Sequence, residues 1–237
     1  MISSLKHFAG GLLVKGGAFA PSNHRTSVPF REPERATPLK DVEFVVLDTK
    51  LTGLNLNMDS IVSIGAVRMR GDRILLGETF YRLVAPRTAL TAKSVVIHEI
   101  TPAETAGSPE IDALLPEFLD FCGEAVIAGH VVSIDLGFVN GEMKQLYGKV
   151  LRNRAVDTCK LYQWMRKKEE DVCAFHGGLP ESNDLSTLAK KYHISVQQAH
   201  NSLSDAFVTA QLLQRLLGEL PKWGITTLDG LLKSGSP

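Results

Sequence analysis

Val45-Val46-Leu47-Asp48-Thr49-Lys50-Leu51-Thr52-Gly53-Leu54 is the stretch on which the reading of this chain turns. The apolar run Phe44–Leu47 ends at Asp48, the pattern of a buried strand that delivers a polar residue to the edge of a sheet. Thr52-Gly53-Leu54 then follows as a turn. Downstream, Ile61–Met69 is β-branched and apolar with Ser63 and Gly65 inside it, and Gly71-Asp72 separates it from Ile74–Val84. That spacing predicts a hairpin with a tight turn. Ala92–Ile100 and Glu110–Cys122 read as helices, the second through Ile111, Leu114, Leu115, Phe118 and Leu119. Val126–Ala128 reads as a strand, Ile134–Tyr147 as a helix, Ala155–Val156 as a strand ending at Asp157, and Cys159–Lys168 as a helix. Glu169–Asn183 reads as a loop because of Gly177-Gly178 and Pro180, and Leu185–Tyr192 and Ser202–Leu217 as closing helices, the last stopped by Gly218. Strands arrive first as a meander and then alternate with helices, which predicts an α/β architecture with a mixed sheet flanked by helices.

Composition narrows the class without naming a chemistry. Apolar residues at 44% and charged residues at 22% are ordinary globular values, which exclude a disordered or collagen-like chain. Apolar runs fall far short of the roughly 18 residues that span a bilayer. Three cysteines, Cys122, Cys159 and Cys173, with no CxxC pair, exclude a disulfide framework and a thiolate zinc knuckle. A soluble, cytoplasmic protein without a membrane partner is expected. Net charge is zero, yet residues 1–40 carry +4 and the remainder −4. The same segment holds Pro21, Pro29, Pro33 and Pro38, so Pro21–Pro38 reads as an extended arm. Ser4–Ala20 reads as a short amphipathic helix, and with no acid before Glu32 a transit peptide stands beside the plain arm as a second reading. The expected organisation is a basic, Pro-rich arm over 1–40, a catalytic-sized domain over 41–218 and a short extension over 219–237. Within that extension, Trp223–Leu232 reads as an amphipathic helix covering the core or as a docking element.

Three aspartates sit at element ends, where the backbone is rigid and a side chain reaches solvent. Asp48 ends the first strand, Asp135 follows His130 by five residues, and Asp205 follows His200 by five. Taken singly, each is a helix cap or a turn former. Taken together with their flanks they say more. VVLDTKLTGL (45–54), IVSIGAV (61–67), IAGHVVSIDLGFVN (127–140) and AHNSLSDAFVTAQLL (199–213), in that order, resemble the DEDDh (DnaQ-like) family of 3′–5′ exonucleases. That family includes the proofreading epsilon subunit of bacterial DNA polymerase III and RNase T.

The resemblance implies a ribonuclease H-like fold, a mixed five-stranded sheet flanked by helices. It also implies hydrolysis of nucleotides from the 3′ end of DNA or RNA with two Mg²⁺ or Mn²⁺ ions. Such a cluster suits phosphodiester hydrolysis, because hard divalent cations take carboxylate oxygens and a histidine near neutral pKa can activate water. Carried over by position, Asp48 would bridge both metals, Asp205 and Asp135 would ligate, and His200 would be the general base. Thr49, Thr52 and His98 would contact substrate, single-stranded 3′ ends of DNA or RNA, and a DNA polymerase is an implied partner. His130 reads equally as a functional and as a packed, hydrogen-bonded histidine, while His7, His24, His176 and His193 match nothing.

One position departs from the pattern. The family's first motif is Asp-x-Glu, and here its third position is Lys50. Residues two apart on a strand share a face, so Lys50 is expected to project toward the Asp48 carboxylate. At 4 Å, opposite unit charges attract by about 4 kcal/mol at an effective dielectric near 20. Lys50 would therefore compete with metal for the same oxygens. Two outcomes follow: a weak or inactive homologue that still binds nucleic-acid ends or docks on a polymerase, or an enzyme of reduced rate and altered metal demand.

Overall fold

The structure, a computed structural model, describes residues 30–172, 182–196 and 200–237. The expected Ser4–Ala20 helix, the first part of the Pro-rich arm, Cys173 and His7, His24 and His176 lie outside those residues.

Three strands come first, β1 (Glu43–Leu51), β2 (Ile61–Arg70) and β3 (Arg73–Leu83). Helices α1 (Ala92–His98), α2 (Pro102–Thr105) and α3 (Ile111–Cys122) follow, then β4 (Val126–Gly129), α4 (Ser133–Tyr147), β5 (Ala155–Asp157) and α5 (Thr158–Val172). Helices α6 (Leu185–Lys191), α7 (Ser202–Glu219) and α8 (Leu228–Gly235) complete the domain. The sheet has five strands in the order β3-β2-β1-β4-β5; β1 runs antiparallel to β2 and parallel to β4, which is parallel to β5. This is the mixed, helix-flanked sheet that the sequence predicts.

Alternation along β1 splits the core into two layers. Phe44 and Val46 join Val208, Leu212, Leu213 and Leu216 of α7 and residues of α5, α6 and α8 on one side. Val45 and Leu47 join Leu115 and Phe118 of α3 and Phe138 and Val139 of α4 on the other. All four β1 residues are shut off from solvent, each worth about 1.5–3 kcal/mol of burial. The same alternation continues past Leu47. Even-numbered side chains face α7 and odd-numbered ones face α4, so the two layers meet at the C-terminal end of β1.

The elements differ from expectation in four places, one being that α7 runs through Gly218 to Glu219, so that glycine does not stop it. β1 does not stop at Asp48 but runs to Leu51, its register with β2 shifting between Lys50 and Leu51. α5 continues to Val172, so residues 169–172 are helical rather than loop, and residues 173–181 lie outside the described ones. A short helix, α2, capped reciprocally by Thr101 and Glu104, has no counterpart among the elements expected from the sequence.

The two ends of the described domain meet. The Leu39 N–H donates to the Thr226 carbonyl, the Leu228 N–H to Thr37 and the Asp229 N–H to Arg35. Leu228 and Leu231 of α8 are fully buried against the α5–α7 layer, so this helix covers the domain's own core. Among the described residues no helix is long and apolar enough to cross a membrane.

Candidate active site

Asp48 and Lys50 leave β1 on the face that α7 covers. The Lys50 Nζ lies 2.9 Å from Asp48 Oδ2 and 2.5 Å from Asp205 Oδ2, so one ammonium bridges two carboxylates. All three side chains are largely withdrawn from solvent, Lys50 and Asp205 at 13% exposure each. The Asp48 contact is close but off the hydrogen-bonding direction, and Asp48 Oδ2 is sealed from water without an aligned donor. Charge attraction to Lys50 dominates its hold there.

What brings Asp205 here is a glycine. Gly65 pairs with Asp48 across β1 and β2, and a Cβ on it would lie 2.2 Å from the Leu203 nitrogen and the Ser202 carbonyl carbon. The first turn of α7 thus rests directly on the strand backbone, which only glycine permits. A buried hydroxyl pair, Ser63 and Ser202 at 2.9 Å, closes the same contact. Asn201 caps α7, its Oδ1 accepting from the Leu203 and Ser204 N–H groups at 3.0 and 3.2 Å. Asp205 follows in the same first turn.

Thr49, of opposite parity, faces α4. Asp135 Oδ1 accepts from the Thr49 N–H at 2.8 Å and from its hydroxyl at 2.6 Å, tying β1 to the first turn of α4. Asp135 lies close enough to Asp48 to raise its pKa and close enough to Lys50 to have its own lowered, so the three aspartates form one electrostatic cluster. Burial pushes Asp48 up to about 8; Asp135 and Asp205 add to the push and Lys50 opposes it. Burial likewise lifts Asp135 to about 6 against the two Thr49 hydrogen bonds. For Lys50, burial disfavours the charge, yet Asp48 and Asp205 outweigh it and hold the ammonium above its ordinary value. One cation cannot neutralise three carboxylates, and the excess is relieved by proton uptake at Asp48.

The remaining predicted residues fall around this centre. His98 ends α1; its Nδ1 accepts the Ile100 N–H at 3.1 Å, which leaves the proton on Nε2, a buried donor with no partner among the described residues. Burial lowers the His98 pKa, and nearby Lys50 and His200 lower it further. His200 occupies an exposed turn just before the α7 cap, with a left-handed φ of 76°. Residues 197–199, which precede it, lie outside the described ones. Thr52 is buried, its hydroxyl accepting from the Ser60 N–H and donating to Asp59 Oδ1, both at 3.0 Å. Its hydroxyl thus holds the β1–β2 loop together. His130 is hydrogen-bonded at both nitrogens, 2.9 Å from Thr158 Oγ1 and 2.8 Å from the Asn183 carbonyl oxygen, and burial lowers its pKa. Gly65, Ser63, Ser202 and Asn201 bring no reactive group of their own, and sequence reasoning passes over their part in the site. The one signal for them is a glycine inside a β-branched strand.

The donor set can be tested against a divalent ion. Hard cations take several carboxylate oxygens. Here the ammonium lies between Asp48 and Asp205, one Asp135 oxygen is engaged by Thr49, and no cluster of three or more His, Cys, Asp or Glu among the described residues is arranged to hold a metal. With Lys50 in this place the residues do not fit a metal at these carboxylates, and no metal-bound step is derived for this chain.

Comparison with known proteins follows the same lines. The RNase T-type exonuclease family model matches residues 45–213, from the start of the β1 motif to the buried face of α7. The chain belongs to the DEDDh exonuclease family. It is 34% identical over 188 residues to the DNA polymerase III subunit epsilon of Aquifex aeolicus, covering 79% of this chain and 87% of that one. It is 30% identical over 204 residues to the PolC-type DNA polymerase III of Halalkalibacterium halodurans, covering 86% of this chain but only 13% of that far longer protein. Among solved structures, the nuclease domain of 3′hExo, a DEDDh family member bound to rAMP, superimposes with a TM-score of 0.62 at 16% identity. That match covers 75% of this chain and 92% of the other and establishes the shared fold.

Proposed function

We propose that this domain engages the 3′ ends of single-stranded or frayed DNA or RNA at the C-terminal end of β1, and that its hydrolytic activity as a 3′–5′ exonuclease is strongly impaired by Lys50. The observation that carries this reading is the Lys50 ammonium, 2.5 Å from Asp205 and 2.9 Å from Asp48. Family membership supports the substrate class. The Nε2–H of His98, buried and without a partner among the described residues, supports a polar ligand at this end of the sheet. The gathering of Asp48, Asp135 and Asp205 at this end of β1, with His200 just before the α7 cap, supports reading the site as a donor set in which Lys50 takes the place of a metal.

The test is hydrolysis of end-labelled single-stranded DNA and RNA in Mg²⁺ or Mn²⁺ by the natural chain and by Lys50→Glu. We expect the variant to cut at least about tenfold faster, a gain of roughly 1.4 kcal/mol or more in transition-state stabilisation. Equal and substantial rates would overturn the role given to Lys50. Binding by both proteins with cleavage by neither would leave an end-binding module with no latent nuclease.

A further inference from the structure

A cavity of about 760 Å³ opens at the other end of the sheet, between the arm that precedes β1, the segment that leads into β5, and the end of α8. Ala155 of β5 pairs with Ile127, and Ile127 pairs with Val45 of β1. Asp48 therefore lies three residues further along and two strands across, about 14 Å away at ordinary strand spacings. The cavity begins at Ala155 and extends away from the carboxylates.

Arg35, Arg152, Arg154 and Lys233 line it. Two acids answer these four cations. Glu32 pairs with Arg154, and Asp229 is shared by Arg35 at 3.0 Å and Lys233 at 2.5 Å. Arg152 is exposed and has no ion-pair partner among the described residues. The segment that carries it is pinned. Asn153, between the two arginines, donates through Nδ2 to the carbonyls of Gly123 and Ala125 at 3.0 and 2.7 Å. The facing arm is fixed to the same turn, the Arg31 N–H donating to Glu124 Oε1 at 2.6 Å. Both walls are thus anchored to residues 123–125, so the backbone that carries Arg152 and Arg154 is fixed beside the arm before any ligand arrives.

Guanidinium groups gathered on a pinned backbone match the paired oxygens of phosphate. Phe30 and Leu232 add an apolar surface to the same cavity, whose volume suits a nucleotide-sized ligand. We propose that this cavity is a second site that binds a nucleotide through its phosphate, either free or as part of a strand. It stands apart from the catalytic centre and does not depend on what Lys50 does there.

The experiment titrates the full chain, without metal, with adenosine 5′-monophosphate and separately with a short single-stranded oligonucleotide. Backbone amide shifts at residues 152–155 and 228–235 report the site. We expect saturable, salt-sensitive shifts there, weakened at least about tenfold by Arg152→Glu and less by Arg152→Gln. Response to the mononucleotide identifies a free nucleotide as a ligand; response to the oligonucleotide alone identifies strand phosphates. Thermal unfolding of both variants checks that the fold is kept, and the milder one carries the test if the charge reversal unfolds the chain. No shift at these residues with either ligand, or variants that titrate like the natural protein, would overturn the proposal.

Discussion

Lys50→Met keeps the apolar stem of the side chain and removes its terminal ammonium. Where both partners are ionised, contacts of 2.5 and 2.9 Å at an effective dielectric near 20 are each worth about 6 kcal/mol of attraction, and for Asp48 that holds only above about pH 8. Desolvating the ammonium and the carboxylates costs several kcal/mol per ion, so the intact cluster is close to balanced. Removing the cation alone is not balanced. It leaves buried carboxylates facing one another, and the expected loss of stability is about 3–5 kcal/mol. For a chain of this size that lowers Tm by roughly 10 °C.

The loss must depend on pH. Asp48, near 8, and Asp135, near 6, both titrate above their unfolded value of 3.8. A carboxyl group raised in this way favours folding while it is protonated. Its contribution is whole below about pH 4 and disappears as pH rises through the folded values. In the variant those values rise further, because the attraction of Lys50 is gone. Variant and natural protein should therefore unfold at similar temperatures near about pH 5 and separate steadily toward about pH 9. Millimolar Mg²⁺ should then recover part of the variant's Tm at the alkaline end, since a cation that binds only the folded state stabilises it. Circular dichroism melts across that range, with and without Mg²⁺, make the measurement. A Tm difference that stays flat with pH, or a natural protein as responsive to Mg²⁺ as the variant, would refute the charge balance assigned to this cluster.

Gly65→Ala should strike the same site from its other side. A Cβ 2.2 Å from the α7 backbone forces the helix start outward by about 1 Å, breaks the Ser63–Ser202 bond and costs about 2–4 kcal/mol, read as a lowered denaturant midpoint. Thr49→Val keeps the N–H donor to Asp135 and removes the hydroxyl donor. It should cost about 1–2 kcal/mol and move Asp135 above about 6, measured by carboxyl-carbon NMR titration.

Much of this arrangement is legible in the sequence because it follows from local periodicity. The two-residue alternation that buries Phe44 and Val46 under α7 also commits Asp48 and Lys50 to that side, so the Lys50–Asp48 ion pair follows from the strand pattern alone. Asp205 as the second partner does not. It depends on how closely α7 lies on β2, which is set by an absent side chain at Gly65, and no helical pattern encodes an absence. The end of β1 is misjudged for a related reason. Lys50 and Thr49 have the polarity of turn residues, and their pairing with Ser63 and Ile64 of β2, together with their partners on α7 and α4, keeps them in the strand. The rear cavity is illegible for the plainest reason, since its cations come from segments widely separated along the chain and share no motif.

Charge balance explains how one fold can carry either residue at position 50. A glutamate there would add a fourth carboxylate to a buried cluster that already holds three, and such a cluster needs protons or external cations to neutralise it. A lysine supplies a cation from within, so the same backbone closes over a site that carries part of its own neutralisation. The two arrangements should trade stability against activity in opposite directions. Lys50→Glu is expected to melt lower than the natural chain without metal and to regain that loss only as Mg²⁺ or Mn²⁺ binds, because the destabilising repulsion is also what gives the metal its affinity.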